Sequence, residues 1–164
     1  MSFFDPAEDP QKAQRRPLYL FLIATLGVGA LASLVTYPQI PTWYASLTHP
    51  RFAPPNWLLA PIWTTLYIVM AFAAWLVWKK TGLKSPEMVV FALQLALNLA
   101  WTVLFFGLHR IGAALIEIAV LDMAVLAALL LFLRRDRLAG LILLPYLAWT
   151  GFASVLTQAI WQLN

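Results

Sequence analysis

Cysteine is absent from the 164 residues of this sequence, and histidine occurs only twice. The lack of cysteine excludes disulfides, cysteine-ligated metals and thiol catalysis, and two histidines in separate connections argue against a multi-histidine metal site. Charged residues make up only 11% of the chain, against roughly 25% in an average soluble domain. In so apolar a chain, the formal net charge of +4 does not indicate nucleic-acid binding. We expect neither a metal nor a nucleic acid as a partner.

Hydrophobic residues, in contrast, make up 62% of the chain, which indicates that lipid is the solvent for most of it. Five apolar segments reach the roughly 20 residues that a bilayer-spanning helix needs, and they lack the alternation of transmembrane β-strands. Their predicted limits are about 17–37, 55–78, 86–107, 111–133 and 138–161. The sequence predicts an all-α membrane protein, with a polar N-terminal segment at 1–16 and a single five-helix transmembrane domain at 17–164.

The basic residues sort by side of the membrane. With five spans, one side receives nine of the eleven lysines and arginines: Lys12, Arg15, Arg16, Lys79, Lys80, Lys84, Arg134, Arg135 and Arg137. The other side receives only Arg51 and Arg110. By the positive-inside rule the N-terminus is cytoplasmic and the C-terminus faces out, and this sorting favours the inner membrane of a bacterium.

A cleaved signal peptide is an alternative interpretation of the first segment, because Ala-Leu-Ala at 30–32 resembles a cleavage site. Two observations argue against it. The apolar run exceeds the usual length of about 7–15 residues, and Asp5, Glu8 and Asp9 are unusual in the charged region that precedes such a run.

The connection between the first and second helices is the only long one. Its proline spacing predicts that the first helix ends near residue 37 and that no continuous helix follows. Trp43, Tyr44 and Leu47 recur at helical spacing, so we expect a short amphipathic turn on the membrane surface after a Thr42 cap. This turn would form a lid on the outer face.

Three tryptophans, Trp63, Trp101 and Trp149, lie inside predicted spans, whereas membrane proteins usually keep tryptophan at the two water interfaces. At 1.5 Å of rise per residue, Trp63, Trp101 and Asn98 fall in the outer half of the membrane, and Trp149 lies nearer its midplane. The sequence therefore indicates a buried aromatic site below the long connection. Packing of an ordinary core is the alternative, because tryptophan commonly fills cores when its N–H is bonded.

The third helix has two distinct faces. One face carries polar and aromatic residues, namely Gln94, Asn98, Trp101 and Phe105. A buried amide or indole N–H needs a partner, so this face is expected to point inward. The nearly opposite face carries Ala92, Ala96 and Ala100, a small-residue pattern that allows close helix packing, either within the bundle or with a second protomer.

Two further faces converge on the same region. On the second helix, one face groups Trp63, Tyr67, Met70 and Ala74, and on the fifth helix, one face groups Trp149, Phe152, Ala153 and Leu156. Together these faces could enclose a flat, mostly apolar cavity. On the fourth helix, Glu117 and Asp122 point about 140° apart and form no carboxylate pair. We expect Asp122 to be protonated or paired and Glu117 to reach toward water.

Three long motifs resemble the tryptophan-rich sensory protein and translocator protein family, which includes the peripheral benzodiazepine receptor. The first is WYASLTHP at 43–50 with PPNWLLAPIWTTLY at 54–67. The second is QLALNLAWTVLFFG at 94–107, and the third is PYLAWTGFA at 145–153 with IWQLN at 160–164. The resemblance covers about 42–164, and the segment before residue 17 matches nothing assignable.

This resemblance implies a five-helix membrane receptor or sensor, often a homodimer, that binds porphyrins such as protoporphyrin IX and, in some members, sterols or benzodiazepine-type drugs. It shifts the interpretation of the buried tryptophans from core packing to a ligand site. The implied ligand-binding residues are Tyr44, Trp63, Tyr67, Asn98, Trp101, Trp149 and Ala153, to which the helical face of the fifth helix adds Phe152. The alanine face of the third helix is a candidate for the homodimer contact.

The resemblance leaves three functions open. The first is a porphyrin sensor linked to tetrapyrrole homeostasis and oxidative stress. The second is light- and oxygen-dependent degradation of protoporphyrin, in which Trp63 and Trp149 would take part without any required cofactor. The third is transport of tetrapyrroles or lipids, for which five helices offer no inverted-repeat pairing. The residues at 155–164 lack the tyrosine and the following lysine or arginine of the animal cholesterol motif, so sterol recognition through that motif is not expected.

Overall fold

The computed structural model describes residues 10–164, with side chains from residue 15 onward. These described residues form six α-helices: α1 (Pro10–Thr36), α2 (Asn56–Thr81), α3 (Pro86–Thr102), α4 (Ile111–Arg135), α5 (Arg137–Ile142) and α6 (Leu144–Leu163). In this part of the chain, five helical stretches are long and apolar enough to cross a membrane: Arg15–Tyr44, Asn56–Thr81, Pro86–Gly107, Ile111–Arg135 and Arg137–Leu163. The predicted five-helix membrane bundle is confirmed.

The N-terminal limit of the first helix differs from the prediction. Helix α1 already begins at Pro10 and contains Pro17, so the predicted polar segment is helical from residue 10 onward. Residues 1–9 of that segment lie outside the described residues. The start of the apolar run therefore does not coincide with the start of the helix.

The predicted fifth helix consists of two helices, because the helical conformation is interrupted at Leu143. Pro145 lies in the first turn of α6 and has no N–H to donate to the preceding turn. At the break, the Leu143 N–H donates to the Gly140 carbonyl at 3.1 Å, which forms a tighter turn with a bond between residues three apart. Helices α5 and α6 nevertheless form one continuous span.

The first connection is more helical than predicted. A 3-10 turn (Tyr37–Gln39) and a π-helical turn (Ile40–Tyr44) extend α1, because Pro38 and Pro41 each occupy the first turn of a new helical type, where the missing N–H costs nothing. The predicted Thr42 cap is wrong: the Thr42 hydroxyl donates to the Pro38 carbonyl at 2.9 Å, within the helix. The Tyr44 side chain is nevertheless buried below this segment.

Side-chain contacts join the connections at each end of the bundle. At one end, Lys80 pairs with Asp136 at 2.8 Å and Arg135 pairs with Glu87 at 2.5 Å, so the second and fourth connections lie together. At the other end, Thr48 of the first connection is hydrogen-bonded to Asn164. This arrangement agrees with the predicted sorting of basic residues by bundle end, while the assignment of the first end to the cytoplasm stays a prediction.

Candidate functional site

A cavity of about 370 Å³ lies between α1, the first connection, α2, α3 and α6. This volume falls within the range of roughly 300–1,000 Å³ that is typical of small-molecule sites. All eight residues that the sequence analysis selected for ligand binding line it: Tyr44, Trp63, Tyr67, Asn98, Trp101, Trp149, Phe152 and Ala153. The structure thus brings the selected residues together in one cavity, and their binding of a ligand stays a prediction.

The cavity walls are aromatic and packed against one another. Trp63 of α2 meets Trp149 of α6 edge-on, with ring centroids 6.5 Å apart. Trp63 also lies 5.9 Å from Tyr67, and Trp149 lies 5.3 Å from Phe152. Aromatic pairs at such distances add about 0.5–1.5 kcal/mol beyond burial of their area. The rings therefore support one another and present flat faces to the cavity.

A second aromatic group closes the outer end of the site. Trp101 is stacked on Phe105 at 5.4 Å, and Tyr44 packs against Phe106 at 5.5 Å. The π-helical turn Val103–Gly107 follows α3 directly and carries both phenylalanines. An extra residue in a helical turn rotates the following side chains, so Phe105 and Phe106 both point inward and are 2% and 5% exposed.

A buried hydrogen-bond network joins α2, α3 and α6 at the inner edge of the cavity. The Tyr67 hydroxyl donates to Asn98 Oδ1 at 2.6 Å, and Asn98 Nδ2 donates to the Tyr146 hydroxyl at 3.2 Å. Tyr146 donates in turn to Gln94 Oε1 at 2.7 Å. Each of these four buried side chains is therefore hydrogen-bonded, as the low dielectric of the membrane requires. The network fixes the height and tilt of the Tyr67 ring.

The remaining polar groups of the cavity are uncharged. Of the described residues that line it, none is Asp, Glu, Lys, Arg or His. The indole nitrogens of Trp101 and Trp149 are buried and have no hydrogen-bond partner among the described residues. An unpaired buried donor costs about 1–3 kcal/mol.

Helix α1 also lines the site, a contribution that the sequence did not predict. Small residues of this helix line the cavity, among them Gly29, Ala32 and Ser33. Gly29 is required there: an added Cβ would lie 2.7 Å from Cδ2 and from Cε2 of Tyr67. These residues carry no distinctive chemistry, so only a glycine within a long apolar run could have indicated a close approach.

The two faces of α3 have the predicted orientation. Gln94 and Asn98 are each 1% exposed and point inward, whereas Ala92 and Ala96 are exposed on the outside of the bundle. The alanine face therefore packs against no other described helix over most of its length. Its use as a homodimer contact stays a prediction.

The two carboxylates of α4 lie outside the cavity. Asp122 Oδ2 accepts a hydrogen bond of 2.6 Å from the Ser154 hydroxyl, as expected for a paired group. The expectation that Glu117 reaches toward water is wrong, because both of its carboxylate oxygens are buried and have no hydrogen-bond partner among the described residues. Within residues 10–164, no group of three His, Cys, Asp or Glu could hold a metal ion.

The fold and the cavity define a class: an integral, multi-pass membrane protein in which five spanning helices enclose an aromatic, uncharged site. The family model of the TspO/MBR family matches residues 20–162. The chain is 40% identical over 145 residues to the tryptophan-rich protein TspO of Archaeoglobus fulgidus, covering 87% of this chain and 94% of the relative. It belongs to the TspO/MBR family.

Relatives that are named translocator protein and tryptophan-rich sensory protein are similar over comparable lengths. The translocator protein of Sus scrofa is 40% identical over 147 residues, covering 87% of this chain and 86% of the relative. The tryptophan-rich sensory protein of Cereibacter sphaeroides is 34% identical over 147 residues, covering 90% of this chain and 91% of the relative. The family resemblance of the three sequence motifs is therefore confirmed.

Proposed function

We propose that this protein is a membrane receptor or sensor that binds a porphyrin, such as protoporphyrin IX, in the aromatic cavity. The observation that carries the proposal is the joint lining of one cavity by Trp63, Trp101 and Trp149 from three different helices. Flat aromatic walls stack well on a planar macrocycle. The name of the sensory relative supports a sensing role.

The uncharged lining adds a constraint on how a porphyrin would bind. A carboxylate placed in the cavity would lose its hydration without gaining a cationic partner, which costs several kcal/mol. The macrocycle would therefore occupy the cavity, while the propionate groups extend to its mouth. No metal or second cofactor is required for this mode of binding.

Titration of the purified protein with protoporphyrin IX tests the proposal by quenching of tryptophan fluorescence. Saturable quenching is expected, and replacement of both Trp63 and Trp149 by alanine should weaken binding at least tenfold, a loss of about 1.4 kcal/mol. Trp57→Phe is the matched control, because Trp57 is 73% exposed and does not line the cavity. Unchanged affinity of the double variant would refute the site.

Photo-oxidative degradation of the bound porphyrin is a second candidate function. The edge contact between Trp63 and Trp149 favours it, because both electron-rich indoles would lie beside an excited macrocycle. Illumination in the presence of oxygen should then yield a discrete porphyrin product faster than in a detergent blank. Bleaching at the rate of the blank, with intact binding, would leave the sensor function alone.

We also propose that the protein resides in the inner membrane of a bacterium with its N-terminus in the cytoplasm. The concentration of basic residues at one bundle end supports this orientation. Single cysteines introduced at Lys84 and at Thr48 provide a test on a chain that has no cysteine of its own. Only the Thr48 cysteine should react with an impermeant thiol reagent added to intact spheroplasts.

A further inference from the structure

The segment 40–49 forms the outer boundary of the cavity. Ile40 and Tyr44 line the cavity directly, and the Tyr44 side chain is only 4% exposed. His49 Nε2 lies 2.9 Å from the Tyr44 carbonyl oxygen and thereby folds the end of the segment back onto its middle. This contact joins the end of the segment to the part that borders the cavity.

Asn164 attaches this segment to the end of α6. The Thr48 N–H donates to Asn164 Oδ1 at 2.9 Å, and Asn164 Nδ2 donates to the Thr48 carbonyl at 3.1 Å. The side-chain amide thus imitates a pair of backbone hydrogen bonds between positions 116 residues apart. Asn164 Nδ2 also donates to the carbonyl of Ile160, a residue of the cavity lining, at 2.8 Å. The attachment is therefore tied to the cavity wall.

His109 attaches the other side of the segment. Its ring is stacked on Trp43 with centroids 4.1 Å apart and an angle of 13°, and its Nε2 lies 3.0 Å from Gln39 Oε1. His109 has a φ of 55°, in the left-handed region that histidine and asparagine tolerate better than most residues. This backbone geometry directs the ring onto the residue immediately before Tyr44.

Both attachments are exposed, unlike the buried bond between Tyr67 and Asn98. Asn164, Thr48 and His109 all lie at the surface, where water competes for their hydrogen bonds. Such bonds contribute only modestly and reform readily. They are therefore suited to hold a segment that opens and closes, and not to form a permanent wall.

We propose that Asn164 and His109 are positioning residues that hold the segment 40–49 closed over the cavity and thereby set the rates of ligand uptake and release. This proposal rests on the proposed function, because it assumes that the ligand occupies this cavity. Neither side chain lines the cavity itself. Each acts through its neighbour in the segment, Asn164 through Thr48 and His109 through Trp43.

Stopped-flow quenching with protoporphyrin IX tests the proposal on Asn164→Ala, His109→Asn and the double variant. His109→Asn removes the stacked ring but keeps a residue that tolerates the left-handed backbone. Each single change should raise both the association and the dissociation rate at least fivefold, because each removes at least one hydrogen bond and one bond of typical net strength corresponds to a factor of about five. The dissociation constant should change less than about twofold, because a looser cover accelerates both directions.

A purely structural role predicts a different pattern, in which dissociation alone becomes faster and affinity falls. Gln158→Ala is the matched control, because Gln158 is exposed on α6 and does not line the cavity. Rates of the double variant equal to those of the control would overturn the proposal. So would a loss of affinity without faster association.

Hydrogen exchange without ligand provides an independent readout. The backbone amides of 45–49 should exchange about fivefold faster in Asn164→Ala than in Gln158→Ala, while those of α3 stay unchanged. Unchanged exchange at 45–49 would overturn the proposal even if porphyrin binding were altered. Failure of the unmodified protein to bind protoporphyrin IX would instead refute the proposed function, and the exchange rates would still decide whether Asn164 holds the segment.

Discussion

The hydroxyl of Tyr67 is bonded to the side-chain oxygen of Asn98 at 2.6 Å, across the interface of α2 and α3. The Tyr67 ring forms part of the cavity wall, while its hydroxyl belongs to the buried network. The position of an apolar surface in the site therefore depends on a polar contact behind it. This relationship links the stability of the bundle to the shape of the cavity.

Asn98→Leu should destabilise the protein and weaken porphyrin binding together. The substitution keeps the volume of the side chain but leaves the Tyr67 hydroxyl without its acceptor and Tyr146 without one of its donors. Hydrogen bonds between transmembrane helices contribute on average about 0.6 kcal/mol and at most about 1.7 kcal/mol. Thermal unfolding in detergent should show a loss of about 1–2 kcal/mol across the two bonds.

Tyr67→Phe is the control for this prediction, because it removes a single bond and keeps the ring. It should cost less than Asn98→Leu, and a double-mutant cycle should yield a coupling free energy of about 0.5–1.5 kcal/mol between the two positions. A coupling free energy of zero would mean that the bond does not determine the position of the Tyr67 ring.

Gly29→Ala should distort the cavity, because the new methyl group on α1 would meet the Tyr67 ring. The new methyl group would lie 2.7 Å from two carbons of the Tyr67 ring, so the ring must move into the cavity or α1 must move away. Such overpacking typically costs about 1–3 kcal/mol. We expect at least tenfold weaker protoporphyrin binding in a fluorescence titration, a loss of about 1.4 kcal/mol.

Gly27→Ala is the matched control on the same helix, because no atom lies within 4 Å of the added Cβ. It should bind protoporphyrin like the unmodified protein and unfold at the same or a slightly higher temperature, since alanine is the better helix former. Equal affinities of the two variants would show that the contact between Gly29 and Tyr67 has no influence on the site.

The ion pair between Lys80 and Asp136 should make a small, pH-dependent contribution to stability. The hydrogen bond from Lys80 lowers the pKa of the Asp136 carboxyl, and the backbone N–H of Ala139 lowers it further. A lowered folded-state pKa adds stability above the ordinary aspartate value of about 3.9, and this stability is lost as the pH falls through the folded-state pKa. Because Lys80 is half exposed, we expect only about 0.2–1 kcal/mol.

Asp136→Asn isolates this contribution, because asparagine still caps α5 but carries no charge. Thermal unfolding of both proteins between pH 3 and pH 7 should show a difference that is constant above about pH 5 and decreases as the pH falls from 5 to 3. High salt should reduce the difference at neutral pH. A difference that does not change between pH 5 and pH 3 would point to the cap and not to the ion pair.

The sequence predicted where the site lies more accurately than where the helices around the site begin and end. Gln94, Asn98 and Trp101 have chemistry that is costly in lipid, so their common helical face had to point inward. The break at Leu143 was less visible, because a proline within a span predicts a kink without specifying whether the helix ends. The π-helical turn that directs both Phe105 and Phe106 inward depends on tertiary packing and leaves no pattern in the sequence.

The contribution of α1 to the cavity could not be predicted from the sequence. Gly29, Ala32 and Ser33 line the cavity because they are small, and smallness is also what ordinary close packing of helices in membranes requires. Periodicity cannot distinguish these two uses. Likewise, the attachment of Thr48 to Asn164 joins distant positions through one exposed amide, a contact that only the folded chain reveals.

We propose that the alanine face of α3 forms the contact of a homodimer, and Ala96→Leu should disrupt it. Ala96 is exposed at the centre of this face, and small residues at such positions let two helices approach closely enough for backbone contact. A leucine would hold the helices apart and shift the protein toward the monomer. Chemical crosslinking and light scattering in mild detergent measure this change.

Ala119→Leu is the matched control for the dimer, because Ala119 is likewise exposed but lies on α4. It should leave the distribution of monomer and dimer unchanged, since it adds the same volume to a surface that we expect to face lipid. The cavity lies on the inward side of α3, so Ala96→Leu should still bind protoporphyrin with the affinity of the unmodified protein. A dimer that persists in Ala96→Leu and dissociates in Ala119→Leu would move the interface from α3 to α4.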